Sequence, residues 1–236
     1  SPVEKTALAE AEIEYRDHRS TTIWVRFSVV SDVLKGSDII IWTTTPWTIP
    51  SNKAVAFNKA IKYGLYEIEE VQDESWAKPK NTIILANKLA EETMEKCRVT
   101  KYKKIRELSS KDLNDINLSH PFSNLEGAES FWNYSVPLVE ADHVTDEAGT
   151  GFVHIAPGHG LDDYLTGLDH NIEVYCPLDD NGCYLKDEFM PEELVGLSVL
   201  DKNNGCAANQ KVLEILTRQK RLLAQENHHH QYPHCW

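Results

Sequence analysis

Apolar residues recur along this chain in short runs set between polar, proline-bearing and glycine-bearing stretches. Thr21–Val30, TTIWVRFSVV, is rich in β-branched and aromatic residues and predicts a strand. Asp38–Thr44, DIIIWTT, is a short apolar run and predicts a buried strand. Pro46 and Pro50 interrupt it, so residues 45–52 must leave that strand as a loop. Further strands are expected at Ala54–Phe57, Tyr63–Val71, Thr82–Ala86, Val136–Glu140 and Gly151–Ala156. A helix is expected over Lys88–Lys96, with Asn87 as its cap, Glu91 and Glu92 at its positive end and Lys96 at its negative end. Leu161, Tyr164, Leu165 and Leu168 repeat at i, i+3, i+4 and i+7, the apolar stripe of an amphipathic helix. Ala208, Val212, Ile215 and Leu216 form such a stripe within Ala207–Lys220. Many short strands with a few helices predict an α+β domain, its strand-rich core curled into a sheet or barrel with flanking helices.

The ends have a different texture. Residues 1–20 are polar and charged and read as a connecting arm, 21–221 as the domain body, and 222–236 as a second arm leading back out. Two arm-like ends suggest a domain inserted into a larger protein, since domain termini tend to lie close together on the surface. The opening Ser1-Pro2-Val3-Glu4-Lys5 reads as the middle of a longer chain. No signal-peptide pattern is visible and no apolar run is long enough to span a bilayer, so no membrane partner is expected. The cysteines, Cys97, Cys176, Cys183, Cys206 and Cys235, are odd in number and scattered, which fits a reducing, cytoplasmic compartment. The net charge of -13 runs against a surface that neutralises many phosphates. If RNA is the substrate, this piece holds only a short end of it.

Two segments carry candidate chemistry. Thr43-Thr44-Thr45-Pro46-Trp47-Thr48-Ile49-Pro50-Ser51-Asn52 places three consecutive hydroxyls at a strand end, where each can donate and accept toward a water or a ribose hydroxyl. By itself this could equally be an edge strand and a surface turn. Gly149-Thr150-Gly151-Phe152-Val153-His154-Ile155-Ala156-Pro157-Gly158-His159-Gly160-Leu161-Asp162-Asp163 is a strand ending in a glycine-rich turn that opens a helix. It is neither a phosphate-binding P-loop nor a dinucleotide fingerprint. Strand alternation puts His154 on the face opposite Val153 and Ile155. Asp162 and Asp163 fall in the first helical turn, where a carboxylate is stabilised whatever its role.

Together the segments resemble the two signatures of the editing domain inserted in isoleucyl-tRNA synthetases. T-T-T-P-W-T-(I/L)-P-x-N is matched by Thr43–Asn52, and G-T-G-x-V-H-x-A-P-G-H-G-x-(D/E)-D by Gly149–Asp163. The opening SPVEKTALAEAEIEY and closing QYPHCW are similar to bacterial-type flanks of that domain, so the resemblance spans the whole chain. Valyl and leucyl relatives carry T-T-R-P and P-A-H-D instead. The resemblance implies post-transfer editing: hydrolysis of valine from isoleucine tRNA by an oriented water, without a covalent intermediate. It implies Thr43, Thr44, Thr45 and Asp163 as the catalytic set, with Asp163 pairing the substrate's α-ammonium. Trp47, Asn52, His154, Gly149, Thr150 and Gly151 would line the substrate, His154 excluding the longer isoleucine. Asp162 is given no role. The implied partners are the 3′ acceptor end of valine-charged isoleucine tRNA and the remainder of the synthetase, the piece itself being monomeric. No cofactor is expected for editing, ATP and Mg serving only the absent catalytic domain.

Three rival readings stand beside this one. His154 could be a general base, although the resemblance offers no partner to orient it. A metal site could use His228, His229, His230, His234 and Cys235, but adjacent strand histidines point to opposite faces, so none is expected. A non-catalytic module holding the tRNA acceptor end could use Lys96, Arg98, Lys101, Lys103, Lys104 and Arg106, a run that equally suits a charged edge strand.

Overall fold

The computed structural model describes residues 13–72, 76–126, 131–186, 190–200 and 206–235, and only the backbone of 13–20 and 228–235. Among the described residues, ten strands form two mixed sheets. The larger has the order β10-β1-β2-β5-β4-β6, built from β1 (Ile13–Ser28), β2 (Ser37–Thr43), β4 (Tyr63–Val71), β5 (Thr82–Ala86), β6 (Val99–Leu108) and β10 (Leu222–Cys235). The smaller has the order β7-β8-β3-β9, from β3 (Ala54–Phe57), β7 (Asn117–Ser119), β8 (Ser135–Glu140) and β9 (Val153–Ile155). A bridge from Val29 to Leu118 joins them at one side. The α+β class holds, but the barrel-like closure does not: the sheets face one another across a core without a continuous ladder.

Strand β2 explains the packing. Ile39 and Ile41 point into the large core with Phe27, Val55, Phe57, Ile84 and Leu138, while Ile40 points to the other face with Trp24, Ile83 and Met94. A central strand buried on both faces needs an unbroken apolar run, which is what Asp38–Thr44 supplies. Helix α1 (Ala90–Lys96) covers that second face, and α4 (Ala207–Arg218) closes the first with Ala208, Val212, Ile215 and Leu216. The stripe read for the last helix is therefore its buried face.

Four expectations need correction. Strand β1 begins well before Thr21, because the segments read as arms pair with each other: Ile13 lies opposite Cys235 and Ser20 opposite His228. Each partner sits at the far end of the chain, out of reach of any local pattern. Asn87 does not cap a helix; a 3-10 turn over Asn87–Leu89 precedes α1, and the Asn87 side chain instead binds Tyr66 and Glu107. Helix α3 (Leu161–Asp169) turns its stripe outward, leaving Leu161 at 73% and Leu168 at 55% exposure. It docks instead through Thr166 and Gly167, the latter so close to Pro157 that a Cβ would lie 3.1 Å from the ring. Residues 45–52 are not irregular loop but a 3-10 helix over Pro46–Ser51 with Pro46 at its start. The short helix α2 (Ser110–Asn114), with its Ser109–Asp112 capping box, had no counterpart in the sequence reading.

Gly151 sets the approach of the glycine-rich segment to β5. Its φ is +82°, and a Cβ there would fall 2.3 Å from that of Ala86. Gly36 shares a left-handed φ of +85° but has open space around it. Gly151→Ala should therefore cost roughly 2 to 4 kcal/mol and Gly36→Ala about 1 kcal/mol. Urea denaturation midpoints check this, and equal losses for the two variants would contradict it.

Candidate functional site

The two signature segments meet at one point. Strand β3 pairs with β9, bringing Val55 opposite His154 and Ala54 opposite Ile155, so the chain leaving the 3-10 helix runs alongside the second segment. His154 is buried, with Nε2 3.0 Å from Thr48 Oγ1 and Nδ1 3.5 Å from Asn52 Nδ2. Thr48 Oγ1 donates to the Thr45 carbonyl at 2.8 Å, so it accepts from His154. The network thus assigns the Nε2–H tautomer, and Nδ1 faces the Asn52 amide. Asn52 Nδ2 also donates to Ala54 O at 2.7 Å, and its Oδ1 is sealed without a partner. A relay runs from Asn52 through His154 and Thr48 to the backbone of Thr45.

The threonines sit where β2 gives way to the 3-10 helix. Thr43 Oγ1 accepts from the Thr45 backbone N–H at 3.0 Å, and Thr44 and Thr45 hydroxyls lie 3.5 Å apart. Thr44 and Thr45 are half-buried, and none of the three hydroxyls bonds a histidine or a carboxylate among the described residues. Trp47 is half-buried and meets the edge of the His159 ring at 5.0 Å.

The helix carrying the backbone polar groups is tightly secured. Its carbonyls at Trp47, Ile49 and Pro50 accept from Tyr184 Oη, His120 Nε2 and Trp132 Nε1. The Trp47 N–H donates to Asn209 Oδ1 at 2.9 Å, and the Asn52 carbonyl accepts from Tyr134 Oη. Buried backbone groups need such partners, and here side chains from distant parts of the chain supply them.

Asp163 folds back over its own loop. Oδ2 accepts from the Ala156 N–H at 2.9 Å, whereas Oδ1 accepts no bond among the described residues and is not sealed from solvent. Asp162 is exposed. Gly149, Thr150 and Gly151 lie on the other side of the segment. Gly149 lines a separate cavity of about 340 Å³ with Thr22, Trp24, Trp42 and Thr93, Thr150 accepts from Ala86 N, and Gly151 accepts from Tyr63 Oη. No hydrogen bond among the described residues links these three to the threonines.

No family model matches the chain. The isoleucine–tRNA ligase of Caulobacter vibrioides is 44% identical over 248 residues, covering 100% of this chain and 25% of its own length. That of Bradyrhizobium diazoefficiens is 41% identical over 249 residues, covering 100% of this chain and 24% of its own. The chain belongs to the isoleucine–tRNA ligase family. It spans about a quarter of the length of those curated relatives. The crystal structure of GlLeuRS-CP1 superposes with a TM-score of 0.47 at 15% identity, over 84% of this chain and 81% of that one, too loosely to add to the assignment.

At this site, electrostatics follow burial. Desolvation, then the nearby His159, lowers His154 to about 4, and desolvation lowers His159 to about 4. His120 falls to about 3, chiefly through burial. Burial raises the Asp163 carboxyl above its usual value, against the bond from Ala156 and the His143 ring, which pull it down; Asp162 adds to the rise. Sequence reasoning missed Thr48, which holds His154, and Ser51 and His159, whose Oγ and Nε2 lie 3.0 Å apart. All three fall inside the signatures, so the signal was present without a role attached. Tyr184 and Asn209 had no local signal. The side chains of His228, His229, His230, His234 and Cys235 lie outside those described, while no described group of three or more ligand types could hold a metal.

Three desolvated neutral histidines, His120 and His154 buried and His159 half-buried, tie stability to pH. The unfolded chain takes up protons near pH 6.5. His154 and His159 wait until about 4 and His120 until about 3. Their contribution is fully present above 6.5 and is lost as pH falls toward 4, by up to about 1 kcal/mol per pH unit for each fully buried ring. The urea midpoint should be lower at pH 5.5 than at pH 7.5, and His120→Gln should shrink the difference. Equal wild-type midpoints would contradict the assignment.

Proposed function

We propose that this segment is the editing site of its synthetase, hydrolysing the ester that joins valine to the terminal adenosine of isoleucine tRNA. The observation that carries the reading is His154: neutral, buried, with both ring nitrogens engaged, at the junction of the two signature segments. Such a ring is a poor general base and a good fixed wall. Isoleucine and valine differ by one methylene, which a single pocket separates poorly, and this enzyme class is itself the standard example of that limit. A rigid wall that admits valine and stops isoleucine supplies the second filter.

Chemically, the water oxygen bonds to the ester carbonyl carbon, the bond from that carbon to the ribose oxygen breaks, and the water's proton passes to the departing oxygen. The hydroxyls of Thr43, Thr44 and Thr45 hold the water and the ester end. Their lack of a base partner among the described residues fits direct attack by water rather than a covalent intermediate. The unbonded Asp163 Oδ1 pairs the α-ammonium, a charge-assisted bond that also rejects substrates lacking a free amine. Trp47 and Asn52 shape the wall. The tRNA acceptor end and the rest of the synthetase are the partners, in the cytoplasm. ATP and magnesium serve the ligation reaction and not this one.

The non-catalytic RNA-binding alternative loses its best feature. Lys101 and Lys103 pair with Glu67, Glu69 and Glu70 across the ladder, Lys104 with Glu107, Arg106 with Asp112, and Lys96 with Glu226. Strand β6 is the edge of its sheet, and apart from Arg98, which has no ion pair among the described residues, this run is a charged edge with carboxylate partners.

In the synthetase, His154→Ala should cut the preference for valyl over isoleucyl ester by roughly tenfold or more. Unchanged discrimination would refute the wall. Asp163→Asn keeps an oxygen for the Ala156 N–H and loses the charge, so it tests the ammonium role without unfastening the loop. Valine release should drop on the order of a hundredfold, with the wild type's discrimination against an N-acetylated valyl ester largely lost. An unchanged ratio between free and acetylated esters would leave Asp163 as a loop clamp alone.

A further inference from the structure

Beside the site lies a charge that the mechanism above does not use. Lys53 follows Asn52, and its backbone N–H donates to Ile155 O at 2.8 Å, so it is pinned between the two signature segments. Its ammonium stands over three aromatic rings, with Nζ 5.2 Å from the centroid of Phe131, 4.8 Å from Tyr134 and 4.9 Å from Tyr175. Phe131 braces the other two, at 6.3 Å from Tyr134 and 5.4 Å from Tyr175. The cage is fastened to the site on both sides. Tyr134 Oη donates to the Asn52 carbonyl, and a Cβ on Gly158 would sit 2.5 Å from the Tyr175 carbonyl.

Ring faces stabilise a cation without cancelling its charge. Lys53 is half-buried and forms no ion pair with a carboxylate among the described residues. Burial lowers its ammonium, and only Glu173, in an exposed position, pulls the other way. The contrast with β6 is sharp, since Lys101, Lys103, Lys104 and Arg106 there all have carboxylate partners. In a chain of net charge -13, a phosphate meets net repulsion, so a cation without a carboxylate partner beside the site counts for more. The cage also fixes the lysine stem in advance, so less side-chain freedom is lost when an anion arrives.

We propose that Lys53 is the phosphate anchor of this site: its ammonium, held by the ring cage, binds the phosphodiester that links the substrate's terminal nucleotide to its neighbour. The inference rests on the reading that the site accepts an aminoacyl nucleotide ester.

The test uses the synthetase that carries this segment and measures valine release from two minimal substrates. One is the valyl ester of adenosine, without phosphate; the other is the valyl ester of the dinucleotide CpA, with one phosphodiester. Lys53→Met keeps an apolar stem in the cage and removes the charge, and Lys53→Arg keeps the charge. Lys53→Met should lose roughly tenfold in kcat/KM on valyl-CpA, carried by KM, and under about twofold on valyl-adenosine, while Lys53→Arg stays close to wild type on both. Equal losses on both substrates would make Lys53 a packing element, and no loss on either would remove it from binding; each overturns the proposal. Valyl-adenylate separates the two sources of phosphate: a loss there without one on valyl-CpA overturns the phosphodiester assignment. A wild type inert on both esters is a different failure, that of the site reading itself.

Discussion

The relay from Asn52 through His154 and Thr48 to the Thr45 carbonyl is the interaction on which the rest of the site depends. It joins segments about a hundred residues apart, as the separations of 106 and 102 positions show. A buried imidazole with an unmet nitrogen would cost on the order of 1 to 3 kcal/mol, so both nitrogens being engaged fixes position, ring orientation and tautomer together. A histidine constrained in this way presents one shape, which is what a filter set by a single methylene requires.

Rigidity on one side of the relay would be lost if the loop it holds could move. The 3-10 helix resists this because prolines fix two of its residues and its carbonyls are met by Tyr184, His120 and Trp132. His120 in turn stacks on Trp132 at 5.8 Å and accepts from Phe122 N, so the support is itself packed. The loop after His154 is held by Asp163, one oxygen of which accepts from the Ala156 N–H. A carboxylate bound at one oxygen and open at the other can serve both structure and recognition. Lys53 extends the same construction outward, with its cage built from residues that also brace Asn52 and Gly158.

Much of this was legible in the sequence where the signal was local. Asp38–Thr44 and the Ala208, Val212, Ile215, Leu216 stripe carry their burial in their own pattern, and the structure buries them accordingly. The outward stripe of α3 was misleading because periodicity reports amphipathicity and not which face docks; Gly167 against Pro157 decided that. The β1–β10 ribbon was illegible because its polar residues pair with the opposite end of the chain. Within the site, His154 and Asp163 were visible as motif positions. The partners that give them their properties, Thr48 to one and Ala156 N–H to the other, follow only from the fold.

The most direct measurement is the rate at which the synthetase carrying this segment releases the amino acid from charged isoleucine tRNA, with ATP withheld so that no recharging occurs. Valine-charged tRNA should be hydrolysed far faster than isoleucine-charged tRNA, the excess vanishing in Asp163→Asn. Equal rates for the two charged tRNAs, or rates no faster than in buffer, would contradict the account.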